Sequence, residues 1–166
     1  MDAAHIHLML NHIPVLGGVA TLCLVALADL KEDKTLGKLS LQLMVLIAIL
    51  TLPVYFTGEP AEKIIEHLPG VAESFIEEHE KFANFALGLT ELLGIIGLVG
   101  LYSFRKNPNS IKQYWRSIQI IALVNVMIMV AVANLGGQIR HTEIRKADSA
   151  SQAPGGIQSP TSEHDD

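Results

Sequence analysis

Leu39-Ser-Leu-Gln-Leu-Met-Val-Leu-Ile-Ala-Ile-Leu-Thr-Leu-Pro-Val-Tyr-Phe-Thr57 contains no ionisable side chain except Tyr55. Wound as a helix rising ~1.5 Å per residue, a run of this length crosses a hydrocarbon layer ~30 Å thick. An isolated strand would leave its backbone groups unpaired in lipid, so helix is the state to expect. Before it lies a block from about Leu8 to Leu30, with no charged side chain between His12 and Asp29. After it come Phe82 to Phe104, carrying one carboxylate, Glu91, and Ile118 to Gly137, carrying none. No Lys or Arg precedes the first block, so it is read as a span and not as a secretory leader. The expected fold is all-α: an integral-membrane four-helix up-down bundle over residues 1–146, with spans at about 8–30, 39–57, 82–104 and 118–137. Residues 147–166, rich in Ser, Gln, Pro, Gly and acid, are too polar to pack and are expected to form a disordered external tail.

Composition agrees with this frame. The chain is 49% hydrophobic and 17% charged, and its charges are gathered between the apolar blocks. A formal net charge of -5 and the lack of a basic, aromatic-laced stripe argue against nucleic acid. No phosphate-cradling glycine loop or nucleophile elbow is present. The single Cys23 lies deep in the first span, where buried packing is expected. No internal repeat is evident beyond the alternation of helices.

The connections set the orientation. Lys31, Lys34 and Lys38 in the first, and Arg105, Lys106, Lys112 and Arg116 in the third, mark the cytoplasmic side. The second is acidic, with Glu59, Glu62, Glu66, Glu73, Glu77, Glu78 and Glu80 against Lys63 and Lys81, and reads as external. Both termini then lie outside, although Arg140, Arg145 and Lys146 reduce the contrast. Tyr102, Phe104, Tyr114 and Trp115 are placed as inner-interface anchors, and Tyr55 and Phe56 as outer ones. Within the acidic connection, Pro60 suits a first helical turn and Ile64, Ile65 and Leu68 supply an apolar side, so a surface helix is expected. Pro69-Gly70 should break it before a restart over 71–81 that extends the third span.

Six of the seven histidines, His5, His7, His12, His67, His79 and His141, fall at or beyond span ends predicted to be external. His5 and His12 share one helical stripe, and His7 and Asn11 share a neighbouring one. His79 is followed on its own face by the small residues Ala83, Ala86 and Thr90, while Asn134, Gln138 and His141 share a face of the last helix. Two imidazoles on facing helices can supply both axial ligands of haem b. The preferred pair is His12 with His79, with His7 and His141 as substitutes or a second pair, and Asn134 and Gln138 as hydrogen-bonding neighbours. The alternative is a non-haem metal-binding or metal-transport protein with an Fe, Cu or Zn centre built from His7, His12, His79, His141 and Glu59, with Glu62 or Glu143 as further oxygen donors and Glu91 as a next station toward the interior. A polar rim can also carry histidines that bind nothing, which would suit a cofactor-free subunit of a larger membrane complex. His67, beside Pro69, and His164, in the tail, stand apart from the group.

Glu91 sits nine residues inside the third block, roughly 14 Å of helix rise and near the bilayer midplane. A carboxylate there should face the bundle, with Asn125 at similar depth as its expected partner. An interhelical clamp is favoured over a proton relay.

The run His7-Leu8-Met9-Leu10-Asn11-His12-Ile13-Pro14 resembles the opening of an uncharacterised family of bacterial four-helix membrane proteins. In that family two histidines, the second followed by x-Pro, enter the first span. Gly58-Glu59-Pro60-Ala61-Glu62 and Asn134-Leu135-Gly136-Gly137-Gln138-Ile139-Arg140-His141 look like marks of one branch. Some relatives are fused to Rieske iron-sulfur domains. The resemblance, spread over residues 5–143, implies a multi-pass protein of the bacterial inner membrane with a place in electron transfer, as a carrier or accessory subunit more than a stand-alone enzyme. Its partner would be a cytochrome or a separate Rieske protein, since this chain has no Rieske cysteine-histidine pairs.

Overall fold

The computed structural model describes residues 2–141, and among these the secondary structure is helical throughout. The elements are α1 (Ala3–Leu10), α2 (His12–Lys31), α3 (Lys34–Phe56), α4 (Gly58–Ile65), α5 (Glu73–Lys106) and α6 (Trp115–Arg140), the last preceded by a 3-10 turn at Lys112–Tyr114. Taken with the short helices that continue them, they form four rods long and apolar enough to cross a membrane. The expected tail at 147–166, with Glu143 and His164, lies outside the described residues.

Local chemistry sets the boundaries. Glu32 adopts φ 52°, a left-handed conformation that stops α2, and Asp33 then caps α3 by accepting from the amides of Thr35 (2.7 Å) and Leu36 (3.1 Å). Gly70, at φ 83°, makes the break expected beside Pro69. The segment expected to form a surface helix is helical as α4, with Pro60 in its first turn, but it continues the α3 rod through the helical backbone of Thr57. The third rod restarts at Glu73 instead of Val71, because Val71 and Ala72 are buried in a cluster with Phe75, Ile76 and Ile139. The first rod runs through Asn11, whose backbone is helical and whose amide bonds to His7 O, so α1 continues α2 beyond the ring and packs mainly against α4.

α3 packs against α2 and α5, α5 against α6, and α6 back against α2, so sequential neighbours close a four-membered ring. Its core gathers Val25, Leu41, Met44, Leu93, Ile118 and Ala122. Outside the ring, Leu16, Ile49, Ile95, Ile120 and Met127 are all exposed. An apolar belt of that extent is costly in water and matches hydrocarbon. At the basic end, Arg116 meets Asp29 at 3.0 Å and Lys112 meets Glu32 at 2.7 Å, tying the two basic connections together.

Two sequence expectations fail here. Trp115 is no interfacial anchor: it is 5% exposed and fills the space above Gly37, where an added Cβ would stand 2.9 Å from its ring. Cys23 is exposed, not packed inside, because α2 turns it away from the ring. A lipid-soluble maleimide is therefore expected to label Cys23 in intact membranes while a charged, water-soluble one does not; equal labelling by both would refute the lipid-facing assignment.

Burial reveals a repeat that residue identities conceal. The buried positions of α2, Pro14, Gly18, Thr21, Val25 and Ala28, correspond at a constant offset of 72 (86 − 14) to Ala86, Thr90, Leu93, Gly97 and Gly100 of α5, all buried. The buried positions of α6, Trp115, Ile118, Ala122, Asn125, Met129 and Ile139, correspond at an offset of 78 (115 − 37) to Gly37, Ser40, Met44, Ile47, Thr51 and Ala61, also all buried. Hairpins α2–α3 and α5–α6 thus present overlapping faces inward, although Leu41, Ala48 and Gly94 are buried where their mates Gln119, Val126 and Leu22 are half-buried, and they enter the ring from the same end. That arrangement has a pseudo-twofold axis running along the bundle, of the parallel-repeat kind found in several helical membrane proteins.

Candidate functional site

The six histidines among the described residues gather at the end of the bundle where α1, α4, the start of α5 and the end of α6 meet, and they divide sharply by environment. His5 is committed to its own helix start: Asp2 caps α1 by accepting from the His5 amide at 2.9 Å and from its ring at 3.0 Å. Those two bonds, with the ring's charge, hold the Asp2 carboxyl below the usual carboxylate range. His12 is exposed, its Nδ1 donating to the Leu8 carbonyl of the preceding turn at 3.1 Å. His67 is exposed beside Glu66. His141 lies just past α6 and is also exposed.

His7 and His79 differ from all of these. Each is partly buried, and each bonds through Nδ1 to a backbone carbonyl on another helix. His7 reaches Val54 O at 3.1 Å, with Thr57 Oγ1 also at 3.1 Å, and His79 reaches Val132 O at 3.0 Å. A carbonyl can only accept, so Nδ1 must carry the proton in both rings. In the neutral imidazole the lone pair is then on Nε2. The Thr57 hydroxyl donates to Val54 O at 2.7 Å, leaving its oxygen able to accept from His7 as well.

The local framework of the two rings is the same. Four residues after each accepting valine comes a glycine, Gly58 after Val54 and Gly136 after Val132. A Cβ on Gly58 would lie 3.7 Å from His7 Cε1, and one on Gly136 would lie 3.1 Å from His79 Cε1 and 3.3 Å from its Nδ1. Both rings therefore rest against backbone made accessible by a missing side chain. His7 and His79 are related by the offset of 72 that relates α2 to α5, and Val54 and Val132 by the offset of 78 that relates α3 to α6. The two cradles are pseudo-twofold mates at the same end of the bundle.

The remaining expected site residues are placed as follows. Gln138 donates to Asn134 Oδ1 at 2.6 Å along the face of α6, with Asn134 exposed. Glu59 is exposed and bound to Lys63 at 2.7 Å. The small face below His79 admits α6: Ala86 and Thr90 are buried there. Asn125 does not pair with Glu91, contrary to the sequence expectation. Its Nδ2 lies 3.2 Å from Thr90 Oγ1, because Thr90, and not Glu91, shares the inward stripe of α5 with Ala86 and Leu93. Glu91 stands one residue round the helix, its Oε1 buried without a hydrogen-bond partner among the described residues.

Sequence reasoning missed the carbonyls of Val54 and Val132 and the Thr57 hydroxyl. The one signal available was Val-x-x-x-Gly at the close of both the second and fourth apolar blocks. Among the described residues, no group of three or more His, Cys, Asp or Glu side chains is arranged to hold a metal ion. Comparison of the chain with protein-family models, curated proteins and solved structures returned no match.

Proposed function

We propose that the protein is an electron-transfer subunit of a bacterial inner membrane that holds one haem b between His7 and His79, near the external face. One observation carries the reading: two pseudo-symmetric imidazoles, each oriented through Nδ1–H on a carbonyl with its Nε2 lone pair left over. That is the orientation found in haem- and metal-bound histidines, where the bond at the far nitrogen sets the tautomer and raises ligand basicity. The donor set fits haem in number as well. Haem brings four nitrogen ligands and asks two of the protein, whereas a bare ion needs a third side chain that the described residues do not add to the pair. When bound, haem supplies a one-electron couple. The chain's own part is to orient the two imidazoles, to hold Gly58 and Gly136 clear of them, and to keep water away with the Phe75–Ile76–Ile139 cluster at the same end.

The external placement rests on the basic connections at the opposite end of the bundle. An external or membrane-bound cytochrome or Rieske protein would be the redox partner, within a larger complex or by diffusion. Protein purified from cells supplied with ample haem is expected to show a reduced-minus-oxidised spectrum with b-type bands at one haem per chain. Material lacking any haem band under those conditions overturns the proposal.

A bare-metal reading keeps one observation in its favour. Glu59, Glu62 and Glu66 lie on or beside α4 at the histidine end, and an excess of carboxylates there concentrates cations. Stoichiometric copper, zinc or iron without porphyrin in the same preparation would select it.

A further inference from the structure

Between the four helices lies a cavity of about 10 Å³ lined by Gly18, Thr21, Met44, Ile47, Thr90, Leu93 and Asn125. We propose that this cavity binds a single water molecule, held between the Thr21 hydroxyl of α2 and the Asn125 amide of α6.

The argument begins with hydrogen-bond valence. Thr21 is 3% exposed and its Oγ1 has no partner among the described residues. A hydroxyl stranded in an apolar interior is costly. Across the cavity, the Thr90 hydroxyl has one proton, and its shorter contact is with Ala86 O at 2.9 Å. Thr90 Oγ1 therefore accepts from Asn125 Nδ2, 3.2 Å away. Asn125 Oδ1, 3.3 Å from the same hydroxyl, is then left without a proton to accept. One donor, Thr21, and one acceptor, Asn125 Oδ1, thus remain unmatched on neighbouring walls of the same cavity. A water accepting from the first and donating to the second satisfies both, and Thr90 Oγ1 offers a further lone pair. The volume is that of about one water, and two or more polar partners is the number such a site requires.

The repeat supplies an independent observation. Three pairs of pseudo-twofold mates line the cavity: Gly18 with Thr90, Thr21 with Leu93, and Ile47 with Asn125. In each pair one member is polar and the other is not. The two halves thus differ in polarity at every mated position around the cavity, and their differences bring two hydroxyls and an amide to one point. Packing alone has no need for polar groups there, since Leu and Ile already occupy the mates.

The sign of a single substitution separates an occupied cavity from an empty one. Thr21→Val keeps the shape and removes the hydroxyl. With water bound, this variant of the intact protein in lipid bicelles is expected to shift the unfolding equilibrium five- to tenfold toward the unfolded state, Asn125 losing its donor. Thr21→Ser, retaining the hydroxyl, should lie nearer the parent, and the shift should not depend on haem content. Thr21→Val equal to or more stable than the parent shows an empty cavity and overturns the proposal. If Thr21→Val does not fold, water-to-Asn125 side-chain cross-relaxation in the parent decides: a signal supports the bound water and its absence refutes it. Stabilisation of the parent by sodium or potassium at constant ionic strength also overturns it, in favour of a cation.

Discussion

Alanine at His7 or at His79 is expected to abolish the six-coordinate, low-spin haem spectrum, while His12→Ala and His141→Ala leave it intact. Each member of the pair would supply one axial bond, and pseudo-twofold equivalence makes the two losses similar in size. The hydrogen-bonding cradle is expected to matter too. Substitutions in the shell around a ligand commonly cost ~10–100-fold in affinity. Gly136→Ala, which would bring a methyl to 3.1 Å from His79 Cε1, belongs in that range, and Gly58→Ala, with 3.7 Å of clearance from His7, should be milder. Haem titration of the purified variants, followed by absorbance and by magnetic circular dichroism for spin state, checks the whole series. If His12→Ala were the damaging change and His7→Ala silent, the assignment of the pair would fail.

Gly97→Leu is expected to destabilise the bundle by about 3 kcal/mol or more, the cost of forcing a side chain into a closed helix contact. A Cβ at Gly97 would lie 2.8 Å from the backbone oxygen of Leu41 and 3.1 Å from Met44 Cβ. Neither neighbour is the movable tip of a side chain, so α3 and α5 must separate. Close approach through small residues is a main source of helix association in lipid, where exclusion of water contributes nothing between helices. Gly88, also on α5, is the internal control. Nothing lies within 4 Å of its missing Cβ, so Gly88→Ala should be neutral or stabilising by up to ~1 kcal/mol through helix propensity. Unfolding in mixed micelles measures both, and equal midpoints for Gly97→Leu and the parent would refute the assigned packing.

The spans were legible because hydrocarbon thickness acts on composition alone. Leu39 to Thr57 had to be a helix whatever its neighbours, and the break at Gly70 followed from proline and glycine chemistry; that α4 would continue the α3 rod did not. The internal repeat was not legible. Val25 answers to Gly97, Ala28 to Gly100 and Trp115 to Gly37, so volume is exchanged between the halves while the inward face is kept. A comparison of identities cannot register that, whereas burial does. Glu91 was misread for a related reason. Depth in the membrane can be counted along the chain, but Thr90 and Glu91 differ by about 100° of rotation, and only the inward one meets Asn125.

The histidines show the division most clearly. From the sequence alone it followed that six of them collect at one end of four helices long and apolar enough to cross a membrane, because successive helices alternate in direction and their ends must meet. Which imidazoles turn inward was decided by tertiary structure. His7 and His12 stand five residues apart on one helical rod, about 140° of rotation, so the face that meets α4 and α3 carries His7 to the carbonyl of Val54 and leaves His12, the more obvious ligand by motif, on the outer surface. Rotation of a helix about its own axis costs no hydrocarbon burial and leaves no trace in hydropathy. It is set by side-chain packing against neighbours and, for His7 and His79, by two backbone carbonyls that glycine leaves within reach.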